Sequence, residues 1–244
     1  MAQNIYDRKD FFENYSKLPR SVQGLDGAPE WPTVRKLIGE VSQLSVLDLG
    51  CGFGAFCRWA AEQGATKVRG VDLSENMLTK ARSLTTDTRI TYDCANLEEV
   101  LLPEKEYDLV YSALTLHYLP DLRPLFAKVY ASLRPGGRLV VTLEHPLLSA
   151  PSDASWKRTE AGEVFWPLNN YLQEGLRETD WLAKGVKKYH RTVESYISQL
   201  LEAGFELTGF RESWEGMRTQ TLPENEAEGH RPFFLFLAAK VPTK

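Results

Sequence analysis

The run VLDLGCGFGAF, Val46–Phe56, limits the fold more than any other part of this sequence. A short apolar strand enters three glycines at alternate positions, and an apolar helix start follows. Gly50, Gly52 and Gly54 let the backbone take conformations closed to other residues and come close to a ligand. The N–H groups of the next helix then point at that ligand. The same rhythm repeats downstream. Strands are expected at Val46–Leu49, Lys67–Val71, Arg89–Tyr92, Tyr107–Ser112 and Arg138–Leu143. Helices are expected at Ala55–Gly64, Glu75–Ser83 and Asp121–Leu133, with Ser74 a natural N-cap and Pro124 in a first turn. ArgProGlyGly at 134–137 reads as a sharp helix stop. Strands alternating with helices in this way form a parallel sheet with crossovers.

Three segments frame that core. Residues 1–44 read as a polar helical cover with aromatic anchors Tyr6, Phe11, Phe12 and Tyr15; a loop spans Gly24–Pro32 and a helix is expected over Thr33–Val41. Residues 145–191 break the rhythm with an irregular, aromatic insert after strand five. A helix over Thr192–Ala203, ended by Gly204, then leads to an antiparallel pair, Phe205–Ser213 and Pro232–Val241, joined by an acidic loop over Glu215–Gly229. The expected architecture is one α/β domain, 1–244. It has a Rossmann-like, seven-stranded, mostly parallel sheet, an antiparallel last strand and helices on both faces.

Composition narrows the function classes. The 244 residues carry a net charge of -4, which disfavours a partner held by a general basic field, such as nucleic acid. The three cysteines, Cys51, Cys57 and Cys94, form no C-x-x-C pair; this predicts reduced thiols in a cytoplasmic compartment and no cysteine metal site. No secretory signal is expected at the N-terminus, and the longest apolar run, Phe233–Ala239, is far short of the ~20 residues of a membrane span. Nothing in the sequence sets an oligomeric state.

The glycine motif alone fits two cofactors. Eighteen residues past Gly54 stands Asp72, placed to accept both hydroxyls of a ribose. Gly50-x-Gly52-x-x-Ala55 also fits the dinucleotide fingerprint. Against a pyrophosphate stands Asp48, two residues before the first glycine; it suits the ammonium end of an amino acid. VLDLGCGFG, GVDLSENMLTKAR, YDLVYSALTLHYLPD and LRPGGRLVVTLEHP together resemble the successive motifs of class I S-adenosylmethionine-dependent methyltransferases. The small-molecule branch, similar to the ubiquinone and menaquinone enzymes, comes nearest.

The resemblance implies S-adenosyl-L-methionine as cofactor. Gly50, Cys51, Gly52 and Gly54 would lie under its methionine part, with Asp48 nearby, and Asp72 would be the ribose acid. Leu73, Met77 and Leu97 would wall the adenine, and Asn96 stands where the family often has an Asp for the adenine amino group. Ser112, Leu114 and His117 follow strand four, where the family lines the transfer chamber. Plain core is the alternative for Leu73, Met77 and Leu114. Arg20 is placed to pair with the cofactor carboxylate, and Tyr15 to close the same face.

The insert roots after strand five, on the active edge of the sheet. It makes Trp166, Tyr171, Trp181 and Tyr189 candidate chamber walls, with His145 and Arg191 as further substrate contacts. Tyr171 and Tyr189, with His117 as a base, are the candidate catalytic groups. The run Lys184, Lys187, Lys188, His190, Arg191 either holds an acidic substrate or is a solvated helix face. His230 is expected in solvent. No metal ligand set is seen.

Three functions remain distinct. The first is methyl transfer to a small molecule by in-line displacement. The second is consumption of the cofactor by attack of its own amino group, giving azetidine-2-carboxylate and methylthioadenosine. The third is a non-catalytic binding protein on the same fold. A nucleic-acid substrate is disfavoured because SALT stands where an Asn/Asp-Pro-Pro-aromatic motif would follow strand four.

Overall fold

The computed structural model describes residues 3–213 and 231–243. The expected acidic loop over Glu215–Gly229 and His230 lie outside the described residues. The chain opens with helices α1 (Lys9–Tyr15), α2 (Pro19–Val22) and α3 (Trp31–Ile38). The core then runs β1 (Ser45–Leu49), α4 (Ala55–Glu62), β2 (Lys67–Asp72), α5 (Glu75–Ser83), β3 (Ile90–Cys94), β4 (Tyr107–Ala113), α6 (Arg123–Ser132) and β5 (Leu133–Glu144). The insert holds α7 (Pro146–Ser149), the short pair β6 (Lys157–Arg158) and β7 (Val164–Phe165), and the hairpin β8 (Gly175–Trp181) and β9 (Ala183–His190). The chain closes with α8 (Val193–Glu202), β10 (Glu206–Ser213) and β11 (Phe234–Lys240).

The main sheet has seven strands in the order β10-β11-β5-β4-β1-β2-β3. β1 to β5 pair in parallel, and β11 runs antiparallel to both β5 and β10. Every residue of β1 is buried, as a strand covered on both faces requires. Alternation splits its side chains: Leu47 and Leu49 join α6 and α8 on one face, and Val46 joins α3, α4 and α5 on the other. Full burial of each large apolar side chain contributes about 1.5–3 kcal/mol.

Several boundaries differ from expectation. α3 begins at Trp31 and ends at Gly39, whose φ of 65° is left-handed, so it stops short of Val41. Residues 134–137 end α6 as expected but already belong to β5, because Leu133 pairs with Tyr107 before the register shifts. The basic run on the insert is strand rather than helix: Lys187 is exposed, whereas Lys188 and His190 point inward.

The cover and the hairpin are tied together. The Gln3 side chain donates to the Gly185 carbonyl at 2.8 Å and accepts from the Lys187 N–H at 2.9 Å. Arg8 donates to Lys184 O and Asn14 to Leu182 O, each at 2.9 Å. Beneath these bonds, Ile5, Phe11 and Val186 form a small buried cluster, with the edge of Trp181 against Phe11. The cover is also fastened to the sheet. Asp7 accepts from the Ser74 hydroxyl and from Asn76 N at the start of α5. Burial would raise its carboxyl, but those hydrogen bonds hold it below the usual range. Asp7→Ala removes an anion from a helix N-terminus, so a loss of about 1 kcal/mol is expected. In a thermal melt that corresponds to a Tm lower by about 2–4 °C.

Candidate cofactor and acceptor site

The site is built from the loops at the carboxyl ends of the parallel strands, the edge where ligands bind in open α/β sheets. After β1, Gly50 has a φ of +79°, and a Cβ there would lie 2.1 Å from Thr115 Oγ1. Gly52 N donates to Asp72 Oδ2 at 2.9 Å, while Ser74 N donates to Asp72 Oδ1 at 2.9 Å. The carboxylate at the end of β2 is therefore braced from both sides, though burial still raises its pKa. Asp48 is 3% exposed and takes one bond, from Cys57 Sγ at 3.4 Å. Burial pushes its pKa up to about 7.

A cavity of about 690 Å³ runs over this edge. Gly50, Gly52, Asp72, Leu73, Met77, Asn96 and Leu97 form part of its wall, and Tyr15 and Arg20 line it as well. A smaller adjoining pocket of about 100 Å³ takes in Asp48, Cys51 and Glu30. Arg20 is held by Glu30 at 2.9 Å, with the carboxylate side chain 3% exposed.

The same cavity is lined by Tyr6, Leu114, His117, Tyr118, Glu144 and Trp181. The Tyr6 and Tyr118 hydroxyls are 3.2 Å apart. His117 is 4% exposed, and its Nδ1 has no hydrogen-bond partner among the described residues. Burial lowers its pKa to about 4; Glu144 pulls it up, and Lys188 and Arg191 push it down. Glu144 closes β5 and accepts from Lys188 Nζ at 2.6 Å. Burial opposes its ionisation, but His117 and Lys188 hold its pKa below the usual carboxylate range. The Lys188 ammonium lies 4.8 Å from the centre of the Trp181 ring.

Other candidates from the sequence lie off the wall of the main cavity, each for a visible reason. Gly54 starts α4 in a left-handed conformation, where a Cβ would lie 2.1 Å from the Tyr92 hydroxyl. Ser112 donates to the Leu49 carbonyl at 2.8 Å and ties β4 to β1. His145 accepts from Leu147 N at 3.1 Å and meets Glu212 at 2.8 Å. Trp166 donates to Leu147 O, and the Arg231 guanidinium lies over its ring at 3.9 Å. Tyr171 accepts from Val193 N at the start of α8. Arg191 donates to the Leu119 carbonyl. Tyr189 sits on β9 opposite Leu176 and away from the cavity. Asn96 is on the wall, but its carbonyl oxygen already accepts from Glu98 N at 3.0 Å.

Sequence reasoning missed Tyr6, Tyr118, Glu144 and Glu30 as site residues. Glu144 could have been found: it occupies, after β5, the place that Gly50 and Asp72 occupy after β1 and β2. Tyr118 lies next to His117 in the same 3₁₀ turn, Leu116–Tyr118.

A glycine turn, a braced carboxylate at the end of β2 and a cavity across the switch from β1 to β4 define a nucleoside-cofactor enzyme of the doubly wound class. Residues 47–141 match the family described as Methyltransferase domain. A crystal structure of an S-adenosylmethionine-dependent methyltransferase from Mesorhizobium loti is 46% identical, with a TM-score of 0.83, and covers 89% of this chain and 100% of that one. An uncharacterised protein from Haemophilus influenzae is 31% identical over 245 residues, 97% of this chain and 96% of its own. A 27-O-demethylrifamycin SV methyltransferase from Amycolatopsis mediterranei is 28% identical over 200 residues, 75% of this chain and 66% of its own. This chain belongs to the S-adenosylmethionine-dependent methyltransferases. The named relatives favour methyl transfer over cyclisation of the cofactor.

Proposed function

We propose that this enzyme methylates a small molecule held between the cofactor loop and the cover. What carries the proposal is one cavity whose wall takes in Gly50 and Asp72 together with His117 and Glu144. Its ~690 Å³ lies near the middle of the range for small-molecule sites, about 300–1,000 Å³. That volume supports a second molecule beside the cofactor.

The residues present fit the cofactor. Asp72 would take the ribose hydroxyls; Leu73, Met77 and Leu97 would flank the adenine, with Asn96 at its edge. Arg20, oriented by Glu30, would face the carboxylate, and Asp48 lies toward the ammonium. The bound cofactor supplies a methyl group on a positively charged sulfur. The protein then has to align the acceptor and exclude water, and alignment of this kind reaches effective molarities of about 10⁵–10⁸ M. Tyr6, Tyr118 and Trp181 wall the acceptor, and the neutral His117 accepts a hydrogen bond from it. We assign residues 1–44 and 145–191 to a cover and insert on a single domain, closing over both ligands.

The partner is read as a small molecule, not nucleic acid or membrane, and the compartment as the cytoplasm. No helix among the described residues is long and apolar enough to cross a membrane, and Cys51, Cys57 and Cys94 are free thiols.

Calorimetry with S-adenosylmethionine tests the cofactor half. Asp48 keeps its proton until about pH 7, and an ammonium beside it drives that proton off. Binding at pH 6 is therefore expected to release a proton, so the heat will depend on the buffer's ionisation enthalpy. The dependence is expected to fade by pH 8 and to be absent in Asp48→Asn. Product analysis tests the other half. S-adenosylhomocysteine with a methylated acceptor is expected, and methylthioadenosine formed without any acceptor would overturn the proposal.

A further inference from the structure

Resting on the methyl-transfer proposal, we infer that the acceptor atom is an amine nitrogen, received at the stretch of wall that carries Glu144 and His117. Both groups lie on the acceptor end of the cavity wall. His117 is 4% exposed, with a ring nitrogen that has no partner among the described residues. Glu144 offers a carboxylate to the cavity from the end of β5, while Lys188, which holds it at 2.6 Å, is not on the wall. An acidic side chain and a neutral imidazole thus line this stretch of wall.

The charges decide between acceptor classes. Arg20, already paired with Glu30, is the one Lys or Arg on the main cavity wall among the described residues. A carboxylate, phosphate or phenolate would reach the acceptor end facing Glu144 with no free cation to receive it. An amine reverses this balance. Its lone pair forms the N–C bond, the C–S bond breaks with its electron pair left on sulfur, and the positive charge moves from sulfur to nitrogen. The ammonium form of the amine gives one proton to solvent before the step, and no further proton moves during it. The product ammonium arises at a wall that carries Glu144, Tyr118 and Trp181, where Lys188 Nζ already holds Glu144 at 2.6 Å and lies 4.8 Å from the Trp181 ring centre and 6.0 Å from that of Tyr118. Charge fixed where charge develops stabilises a transition state, and aromatic faces attract a desolvated cation.

The experiment is a thermal-shift and calorimetric screen of the full chain saturated with S-adenosylhomocysteine. The probes are matched in carbon frame: phenethylamine, N-methylphenethylamine and shorter alkylamines against phenylacetate, the corresponding alkyl carboxylates and phenol. Amines are expected to bind at least tenfold tighter than their matched anions. Amines that bind are expected to gain a methyl group when S-adenosylmethionine replaces the product. Glu144→Gln combined with Lys188→Met leaves no buried charge unpaired. It is expected to bind S-adenosylhomocysteine as wild type does and to lose the amine preference. Tighter binding of the anions, no binding by any amine, or an amine preference that survives the double variant would overturn this inference. Failure of S-adenosylhomocysteine itself to bind wild type would overturn the methyl-transfer proposal beneath it.

Discussion

Asp72→Ala is expected to weaken S-adenosylmethionine binding by two to three orders of magnitude. The wild-type carboxylate ends β2 at the cavity wall, held in place by Gly52 N and Ser74 N at 2.9 Å each. Two ribose hydroxyls would donate to it, and a hydrogen bond to a charged group contributes about 1.5–3 kcal/mol. Losing both gives about 3–6 kcal/mol, and at about 1.4 kcal/mol per tenfold the lower half of that range is already two to three orders of magnitude. The loop also loses the acceptor for Gly52 N, so part of the effect is expected in stability. Asp72→Asn separates the two parts. It keeps one acceptor oxygen and is expected to retain the wild-type Tm within a few degrees while still binding at least tenfold more weakly. Calorimetry of both variants against thermal melts checks this, and wild-type affinity in Asp72→Ala would remove Asp72 from the site.

His117→Phe is expected to lower kcat/KM about a hundredfold at unchanged cofactor affinity. The phenyl ring can keep the packing against Tyr118, whose ring centre lies 4.5 Å from that of His117, but it has no nitrogen to align the acceptor; misplacement on the scale of 1 Å costs about 10² in rate. The same variant has a stability signature. The His117 pKa is lowered from 6.5 to about 4 by burial. Between those pH values the unfolded chain binds a proton that the folded chain does not. Stability from the neutral ring is therefore present above pH 6.5 and lost as pH falls toward 4, by up to about 3 kcal/mol. Asp48 works in the opposite sense: its raised pKa keeps a proton on the folded chain from about pH 4 to 7, so its contribution is lost as pH rises through that window. Wild-type stability thus mixes two opposing slopes. Subtracting the His117→Phe profile from the wild-type profile, measured by urea unfolding, isolates the histidine. A difference that is flat with pH would refute the buried neutral ring.

Much of the cofactor end was legible because backbone chemistry spells it. Gly50, Gly52 and Asp72 are tied to left-handed turns and strand ends, and such local constraints leave a trace in spacing. The strands of the sheet were legible for the same reason, since each carried its own apolar run, though their order was not. The acceptor end left no such trace. Tyr6 comes from the cover, His117 and Tyr118 from a 3₁₀ turn, Glu144 from β5 and Trp181 from a hairpin. Their meeting depends on long-range packing, which spacing does not encode. The insert misled for a related reason. Trp166 and Tyr171 are aromatic, as a chamber wall would be, yet their polar atoms hold α7 and the start of α8 in place. Composition cannot tell a ring that faces a ligand from one that braces the frame.

The fastening of Gln3, Arg8 and Asn14 to the hairpin tip has a mechanical consequence. One edge of the cavity roof comes from the first residues of the chain and the other from Trp181, and those bonds join the two. The edges cannot part without breaking them, so residues far apart in sequence loosen or hold together as a pair.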